Sequence, residues 1–331
     1  MREFTLTGAL ILTLLTTLAR ADAVPSGESA TPARPHIIGL SHIALYVHDI
    51  EKTRAFYKTF LGFAEPYSLK NPDGTLHLTW MKINDRQTIE LFPETAPGTD
   101  RLYHIALETD DARGMYDYLA AHGVKVPAKV GTGKIGNLNY FVKDPDGHIV
   151  EIVQYMPSSW TLLFKGKFLP DTRISNYMSH AGILVGNLDA EKHFYEDILG
   201  CHEIWRGARK GASELSWVHE RLPECTQFLE FMLYSDLPDP DKRGKYHHFC
   251  LEVPDIQKAK EILDKRAPLI GYDKPITPQI GINRKWQLNV YDPDGTRVEL
   301  MEPVTVDKKL APPSTLPPPP PATQPSIAAS N

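Results

Sequence analysis

Four histidines and four glutamates recur along the chain at nearly constant spacing, and these residue types can hold a metal ion. Each glutamate follows its histidine by 47 to 51 residues, in the pairs His42 and Glu90, His104 and Glu151, His180 and Glu230, and His248 and Glu299. The glutamates stand in apolar runs such as TIELF and RVELM, where an unpaired carboxylate is costly to bury. Imidazole and carboxylate ligands together suit Zn, Fe, Ni, Co or Mn. The pattern therefore predicts a divalent metal ion bound by buried histidines and glutamates.

A DPDG turn precedes the last glutamate of each half of the chain. The segments DPDGHIVEIV, from Asp144, and DPDGTRVELM, from Asp292, begin 148 residues apart. Pro at the second position and Gly at the fourth are typical of a β-turn. Because side chains alternate along the strand that follows, the turn aims Glu151 and Glu299 at one face of that strand. We expect this face to line a cavity.

The elements that must position these residues repeat four times. Seven residues after each histidine stands a short polar residue, which can cap a helix by accepting from its free amides: Asp49, Asp111, Asn187 and Asp255. An amphipathic run follows each cap, and short β-type runs such as LHLTWMKI and TIELF come next. The repeating unit is therefore strand–helix–strand–strand–strand. Four such βαβββ units place the chain in the α+β class.

The units group in pairs, and this grouping predicts the domain organisation. We predict two homologous domains at residues 37–157 and 174–303, joined by a linker at 158–173. Residues 24–36 are rich in Pro and Ser and are predicted to form a linker. Residues 304–331 contain the run PPPPP, a composition that cannot pair into a sheet or bury a core, so we expect a disordered tail.

Residues 1–23 have the pattern of a secretory signal peptide. Arg2 precedes the apolar run GALILTLLTTLA, and ADA at 21–23 is a small-x-small cleavage site, as such peptides require. The run is shorter than the roughly 20 apolar residues of a membrane span. We therefore expect export to the periplasm or the medium, with no membrane attachment after cleavage. The net charge of −5 argues against nucleic-acid binding, which calls for a basic surface.

Together these features resemble the vicinal oxygen chelate superfamily. The paired βαβββ units, the histidine and glutamate positions and the DPDG turn before a glutamate carry the resemblance, which covers residues 37–303. Its members include glyoxalases, bleomycin resistance proteins and extradiol ring-cleaving dioxygenases. The resemblance implies two domains of this type, each a cupped, mainly antiparallel open barrel of β-strands with a divalent metal ion inside.

The resemblance also implies two sets of metal ligands. If each set closes within its own domain, as in the dioxygenases, the sets are His42, Glu90, His104 and Glu151, and His180, Glu230, His248 and Glu299. A fused glyoxalase-like arrangement instead joins His42 and Glu90 to His248 and Glu299, and His104 and Glu151 to His180 and Glu230. In glyoxalase-like members the last-strand glutamate also carries a proton, a role that falls here to Glu151 and Glu299.

The activity implied by the resemblance is that of a metal-dependent isomerase or lyase acting on a small molecule with adjacent oxygens. An Fe(II) ring-cleaving dioxygenase and a protein that sequesters a ligand are the alternatives. Where glutathione-dependent glyoxalases carry arginine and asparagine, this chain has Tyr46 or Leu184 and Glu94 or Tyr234. These departures count against lactoylglutathione lyase activity.

Other histidines are predicted to have no part in the sites. His77 and His219 are expected at the surface of strands or turns. His247 precedes His248 and, because side chains alternate along a strand, should point to the opposite face.

Overall fold

The computed structural model describes residues 32–309. The predicted signal peptide, most of the first linker and most of the Pro-rich tail lie outside the described residues. Within them, two eight-stranded sheets each curl into a half-barrel. The α+β architecture of two βαβββ pairs is therefore confirmed.

The first sheet contains the strands of the first two units. Its strands are β1 Ile37–Val47, β2 Ser68–Lys70, β3 Leu76–Lys82, β4 Thr88–Pro93, β5 Leu102–Thr109, β6 Gly131–Thr132, β7 Leu138–Lys143 and β8 Ile149–Gln154. They lie in the order β2-β3-β4-β1-β5-β8-β7-β6. The β1–β4 and β5–β8 pairs are parallel and the other neighbours are antiparallel.

The second sheet repeats this arrangement. Its strands are β9 Met178–Val185, β10 His202–Gly207, β11 Trp217–Arg221, β12 Phe228–Leu233, β13 His248–Glu252, β14 Gln279–Ile280, β15 Lys285–Tyr291 and β16 Arg297–Thr305. They lie in the order β10-β11-β12-β9-β13-β16-β15-β14. The same pattern of parallel and antiparallel neighbours recurs, with β9–β12 and β13–β16 parallel.

Each unit has its helix directly after its first strand. The helices are α1 Ile50–Arg54, α2 Ala112–Ala121, α4 Leu188–Lys192 and α5 Ile256–Ile270, with α3 Trp160–Leu163 between the domains and a 3₁₀ turn at Pro240–Lys242. Helices α1 and α4 continue as π-helical segments, Ala55–Phe60 and His193–Ile198. All four predicted caps accept hydrogen bonds from first-turn amides, which satisfies donors that a helix start leaves free.

The helices pack on the sheet of their own domain and also contact helices of the other domain. The Tyr118 hydroxyl of α2 donates to the carbonyl of Ile198, at the end of the π-helical segment after α4. On the other side, Phe60 stacks on Tyr272, the second residue after α5, with ring centroids 4.7 Å apart. One continuous buried apolar core includes residues of both domains. The two halves are thus held in a defined relation to each other.

The predicted domain boundaries remain predictions, but nearby elements can be placed. Strand β16 continues to Thr305, and α3 lies inside the segment that bridges the two sheets. In the part of the chain from residue 32 to residue 309, no helix is long and apolar enough to cross a membrane.

Candidate metal centres

The four central strands of each sheet supply one predicted ligand each. In the first sheet, Ala44 of β1 is the cross-strand partner of both Glu90 on β4 and His104 on β5. Ala106 of β5 is likewise the partner of both His42 and Glu151. Cross-strand partners share a face of the sheet, and His42 and Ala44 are two residues apart on one strand. All four ligands therefore point into the same concave side.

The first donor set, which we define as His42, Glu90, His104 and Glu151, converges tightly. The Nε2 atoms of His42 and His104 lie 3.0 Å apart. One carboxylate oxygen of Glu151 lies 3.1 Å from Nε2 of His42 and 3.0 Å from Nε2 of His104. Glu90 stands slightly further out, with its oxygens 3.6 Å and 3.8 Å from the same nitrogens. All four side chains are buried.

A hydrogen-bond chain orients His42 for ligation. The Tyr155 hydroxyl donates to the carbonyl of Arg86 at 2.9 Å, so it can only accept from the hydroxyl of Ser41 beside it. Ser41 then accepts from Nδ1 of His42, which lies 2.9 Å away. In the neutral imidazole this leaves the lone pair on Nε2, directed at the other donors.

The two carboxylates of the first donor set are also held from behind. Trp80 Nε1 donates to Glu90 at 2.6 Å, and the Asn139 amide donates to Glu151 at 2.8 Å. Sequence reasoning did not identify these supporting residues or Ser41 and Tyr155. Only Ser41, next to His42, could have been found from its position in the chain.

The electrostatics of the first donor set favour positive charge next to its carboxylates. Burial disfavours a charge on His42, yet Glu90 and Glu151 outweigh that effect and raise its pKa. Burial alone would raise the pKa of the Glu151 carboxyl, but the two imidazoles outweigh it and hold that pKa well below its usual range. Two buried carboxylates and two imidazole nitrogens facing one point fit a divalent metal ion.

A cavity of about 260 Å³ opens directly above the first donor set. We call it the first cavity. Its wall is mainly aromatic: Tyr67, Trp80, Phe92, Tyr103 and Phe141. Lys134, Asn137 and Asn139 contribute polar groups, and His77 also lines it. His77 lies on strand β3 and is partly exposed, as expected, and its side chain also borders the first cavity.

The second donor set, which we define as His180, Glu230, His248 and Glu299, also converges. Ligand atoms from all four residues lie within 4.8 Å of one another. The two Nε2 atoms are 3.3 Å apart, and Nε2 of His248 lies 2.9 Å from Glu230 and 3.4 Å from Glu299. Burial lowers the pKa of His180 to about 4, so this imidazole is neutral at neutral pH.

Two residues that sequence reasoning missed approach the second donor set. His219 lies 3.1 Å from Glu230 and is only 5% exposed, so the expectation that it is a surface residue is wrong. Its ring packs against those of Trp205 and Phe228, with ring centroids 4.5 Å apart in each pair. Arg297 places a guanidinium nitrogen 2.8 Å from Nε2 of His248. Arg297 stands two residues before Glu299, and strand alternation could have identified it.

Each donor set closes within its own domain. Strands β1 and β5 are direct neighbours, as are β9 and β13, and this adjacency brings His42 beside His104 and His180 beside His248. The alternative that joins His42 and Glu90 to His248 and Glu299 is therefore wrong. His247 points away from the second donor set, as expected, and contacts Asp100 of the first domain at 3.1 Å.

A family model matches both halves of the chain. The model describes the Glyoxalase/Bleomycin resistance protein/Dioxygenase superfamily and matches residues 39–152 and 177–300. The chain belongs to this superfamily. The family resemblance predicted from the sequence is thereby confirmed.

Curated relatives each match part of the chain. A lactoylglutathione lyase of Neisseria meningitidis is 29% identical over 123 residues, 35% of this chain and 89% of its own length. The Arabidopsis thaliana lactoylglutathione lyase GLX1 is 25% identical over 205 residues, 60% of this chain and 66% of its own length.

Solved structures share the two-domain fold. The 2,3-dioxygenase LapB from Pseudomonas sp. KL28 superposes with a TM-score of 0.63 at 15% identity, covering 82% of this chain and 93% of its own. The Mn(II)-bound glyoxalase from Novosphingobium aromaticivorans gives a TM-score of 0.60 at 17% identity. The match covers 82% of this chain and 85% of the glyoxalase chain. At these identities the likeness is one of fold.

Proposed function

We propose that this protein is an exported, metal-dependent enzyme of the isomerase or lyase type. Its first domain binds a divalent metal ion and a small, largely apolar substrate that carries adjacent oxygens. The observation that carries the proposal is the opening of the first donor set onto the aromatic first cavity. A concave, mostly apolar cavity with a few convergent polar groups is typical of a small-molecule site.

The residues of the first donor set have separate roles in this proposal. His42, His104 and Glu151, whose ligand atoms lie within 4.8 Å of one another, hold the metal ion. When bound, a divalent metal ion supplies Lewis acidity to the two adjacent oxygens of a substrate. Ser41 keeps the lone pair of His42 directed at the site, as the partners of a ligating histidine generally do.

Proton transfer falls to a carboxylate that faces both the donor set and the first cavity. Glu90 and Glu151 both line that cavity. A carboxylate within hydrogen-bond reach of a substrate carbon can take up a proton and return it to a neighbouring carbon. The family resemblance gives this role to Glu151. The oxygens of Glu90 lie further from the imidazole nitrogens, at 3.6 Å and 3.8 Å. This greater distance supports Glu90 as the second candidate.

The first cavity indicates the substrate's size and polarity. A volume of about 260 Å³ admits a small molecule in contact with several aromatic side chains. Lys134 and Asn137 at its wall can bind a carbonyl or carboxylate oxygen. We therefore propose a compact substrate with an apolar body and a 2-hydroxycarbonyl or 2-oxocarbonyl group at the metal-facing end.

Solvent-proton exchange tests the proposed reaction class. Mature protein reconstituted with Mn, Fe, Co, Ni or Zn is incubated in D₂O with 2-hydroxyketones and 2-oxoaldehydes that carry aromatic substituents. We expect metal-dependent deuterium incorporation next to the carbonyl, seen by proton NMR, and its loss in His104→Ala. Tight binding of unchanged ligand with no exchange would instead favour the ligand-sequestering alternative. Amino-terminal sequencing of protein from the medium or the periplasm tests export.

A second candidate function is ring cleavage by an Fe(II) dioxygenase. The specific observation in its favour is the compact trio of His42, His104 and Glu151, because two histidines and one carboxylate are the ligand set of non-haem Fe(II) oxygenases. Oxygen consumption with catechols after anaerobic Fe(II) loading would support it. No oxygen consumption under those conditions would remove it from consideration.

A further inference from the structure

We propose that the second donor set does not take a divalent metal ion, because the guanidinium of Arg297 supplies the positive charge there. A fully loaded chain then carries one metal ion, in the first domain. This inference rests on the proposed metal binding by the first donor set. Four side-chain and backbone features of the second domain carry it.

The first feature is where Arg297 lies. It opens β16, two residues before Glu299, so both side chains leave the same face of the strand. One of its nitrogens lies 2.8 Å from Nε2 of His248 and 3.8 Å from a Glu230 oxygen. The corresponding residue of the first domain, two positions before Glu151, is the apolar Ile149. A cation therefore stands in one donor set where the other has an aliphatic side chain.

The second feature concerns the lone pair that a metal ion needs. His248 Nδ1 lies 2.7 Å from the carbonyl of Tyr246, and it must donate there because a carbonyl oxygen only accepts. In the neutral ring, Nε2 then carries the lone pair. One nitrogen of Arg297 lies 2.6 Å from Nδ1 and 2.8 Å from this Nε2, so the guanidinium lies against the imidazole ring between its two nitrogens. A fixed positive charge therefore stands next to the ring nitrogen that would bind the metal ion.

The third feature is the position of the His248 ring relative to strand β9. Its cross-strand partner on β9 is Gly182, and a Cβ at that position would come within 1.9 Å of the ring. The corresponding partner of His104 in the first domain is Ala44. Because Gly182 has no Cβ, the His248 ring can lie close to the backbone of β9, next to the guanidinium of Arg297. Both departures from the first domain thus act on the same imidazole.

The fourth feature is the available space. The cavity at the second donor set measures about 70 Å³, against about 260 Å³ for the first cavity, and Arg297 is among its lining residues. An arginine side chain stays protonated throughout the accessible pH range. It therefore repels a divalent cation throughout that range.

Two variants that exchange the residue types at positions 297 and 149 test the inference, with the number of bound metal ions per chain as the measurement. The mature protein and its variants are loaded with excess Mn(II) or Zn(II), desalted and measured by elemental analysis. We expect one metal ion per chain in the parent protein, two in Arg297→Ile and none in Ile149→Arg. Arg297→Lys, which keeps the charge, should remain at one. Two metal ions in the parent, or one in Arg297→Ile, would overturn the inference.

Further variants separate this inference from the proposed function. Loss of the metal ion from His104→Ala but not from His248→Ala is expected and places the ion in the first domain. No metal ion in the parent protein under any loading condition would defeat the proposed function itself. Circular dichroism establishes that each variant is folded. If Arg297→Ile does not fold, Arg297→Met is measured in its place, with the same expectation of two.

Discussion

The carboxylate of Asp146, in the first DPDG turn, accepts a hydrogen bond from the backbone amide of Gly186 in the second domain, at 2.7 Å. It also lies 3.3 Å from the amide of Asn187, the cap of α4. The second DPDG turn reciprocates, because Asp294 accepts from the amide of His48, just before α1, at 3.0 Å. Each turn thus aims a glutamate into its own domain and binds a helix start of the other.

Removal of this contact should weaken the association of the domains. Asp146→Ala leaves amides at the start of α4 without their charged acceptor, so we expect a loss of about 1–3 kcal/mol in the free energy of unfolding. Urea unfolding followed by tryptophan fluorescence measures it. Asp73 occupies the same place in the NPDG hairpin turn within the first domain and bonds only to nearby Thr75. Asp73→Ala should cost less, and an equal or larger loss would contradict this account.

Ser41 should govern metal affinity in the first domain. Ser41→Ala removes the partner of His42 Nδ1, and loss of such a partner typically lowers metal affinity 10–100-fold. Competition with a chromophoric chelator measures the dissociation constant. The matched control is Ser179→Ala, since Ser179 lies 3.4 Å from Nδ1 of His180 in the second domain. We expect no change in metal affinity from this control.

Metal removal should lower the thermal stability of the protein. A ligand that binds only the folded state stabilises it by about 2.7 kcal/mol at a hundredfold excess over its dissociation constant. We therefore expect EDTA to lower the melting temperature and added divalent metal to restore it. His42→Ala should melt at one temperature with or without metal. A metal-dependent shift of unchanged size in this variant would contradict binding at the first donor set.

The two glutamates of the first donor set can be separated by comparing metal content with turnover. Glu151 contacts both imidazoles at 3.0–3.1 Å, so Glu151→Gln should lose much of the bound metal. Glu90 lies further from them and is held by Trp80. If Glu90 carries the proton, Glu90→Gln keeps the metal and loses solvent-proton exchange. Retention of exchange in Glu90→Gln would return the role to Glu151.

Glu191 should make stability fall as pH rises. It is fully buried on α4 beside the first DPDG turn and bonds to the amide of Asp146 at 2.8 Å. Burial and then the charge of Asp144 raise its pKa from 4.5 to about 9. A carboxyl with a raised folded-state pKa stabilises the protein at low pH, and that contribution is lost between about pH 4.5 and pH 9.

Replacement of Glu191 by glutamine should remove that part of the pH dependence. Glu191→Gln keeps the amide contact but cannot ionise, so we expect its free energy of unfolding to fall less than that of the parent between pH 6 and pH 9. Asp189→Asn, at an exposed position on the same helix, is the control and should follow the parent. Parallel curves for Glu191→Gln and the parent would contradict the assignment.

The sequence alone determined those features that depend on local chemistry and on repetition. The four caps, Asp49, Asp111, Asn187 and Asp255, could be predicted because a cap acts on amides two or three residues away. The eight ligand positions followed from strand alternation and from comparing the units with one another. The same comparison shows that Ile149 and Arg297 occupy equivalent positions in the two domains. It does not show what the arginine contacts.

Only the tertiary structure decided which strands are neighbours and what lies behind each ligand. The pairing of His42 with His104 depends on β1 lying against β5, and many strand orders suit the same repeats. The contact of Ser41 with Tyr155 spans 114 residues, and that of His219 with Glu230 crosses from one strand to the next. Such contacts form when the sheet curls, because curvature brings side chains of separate strands to one point. The position of the His248 ring likewise depends on the missing Cβ at Gly182, on a different strand.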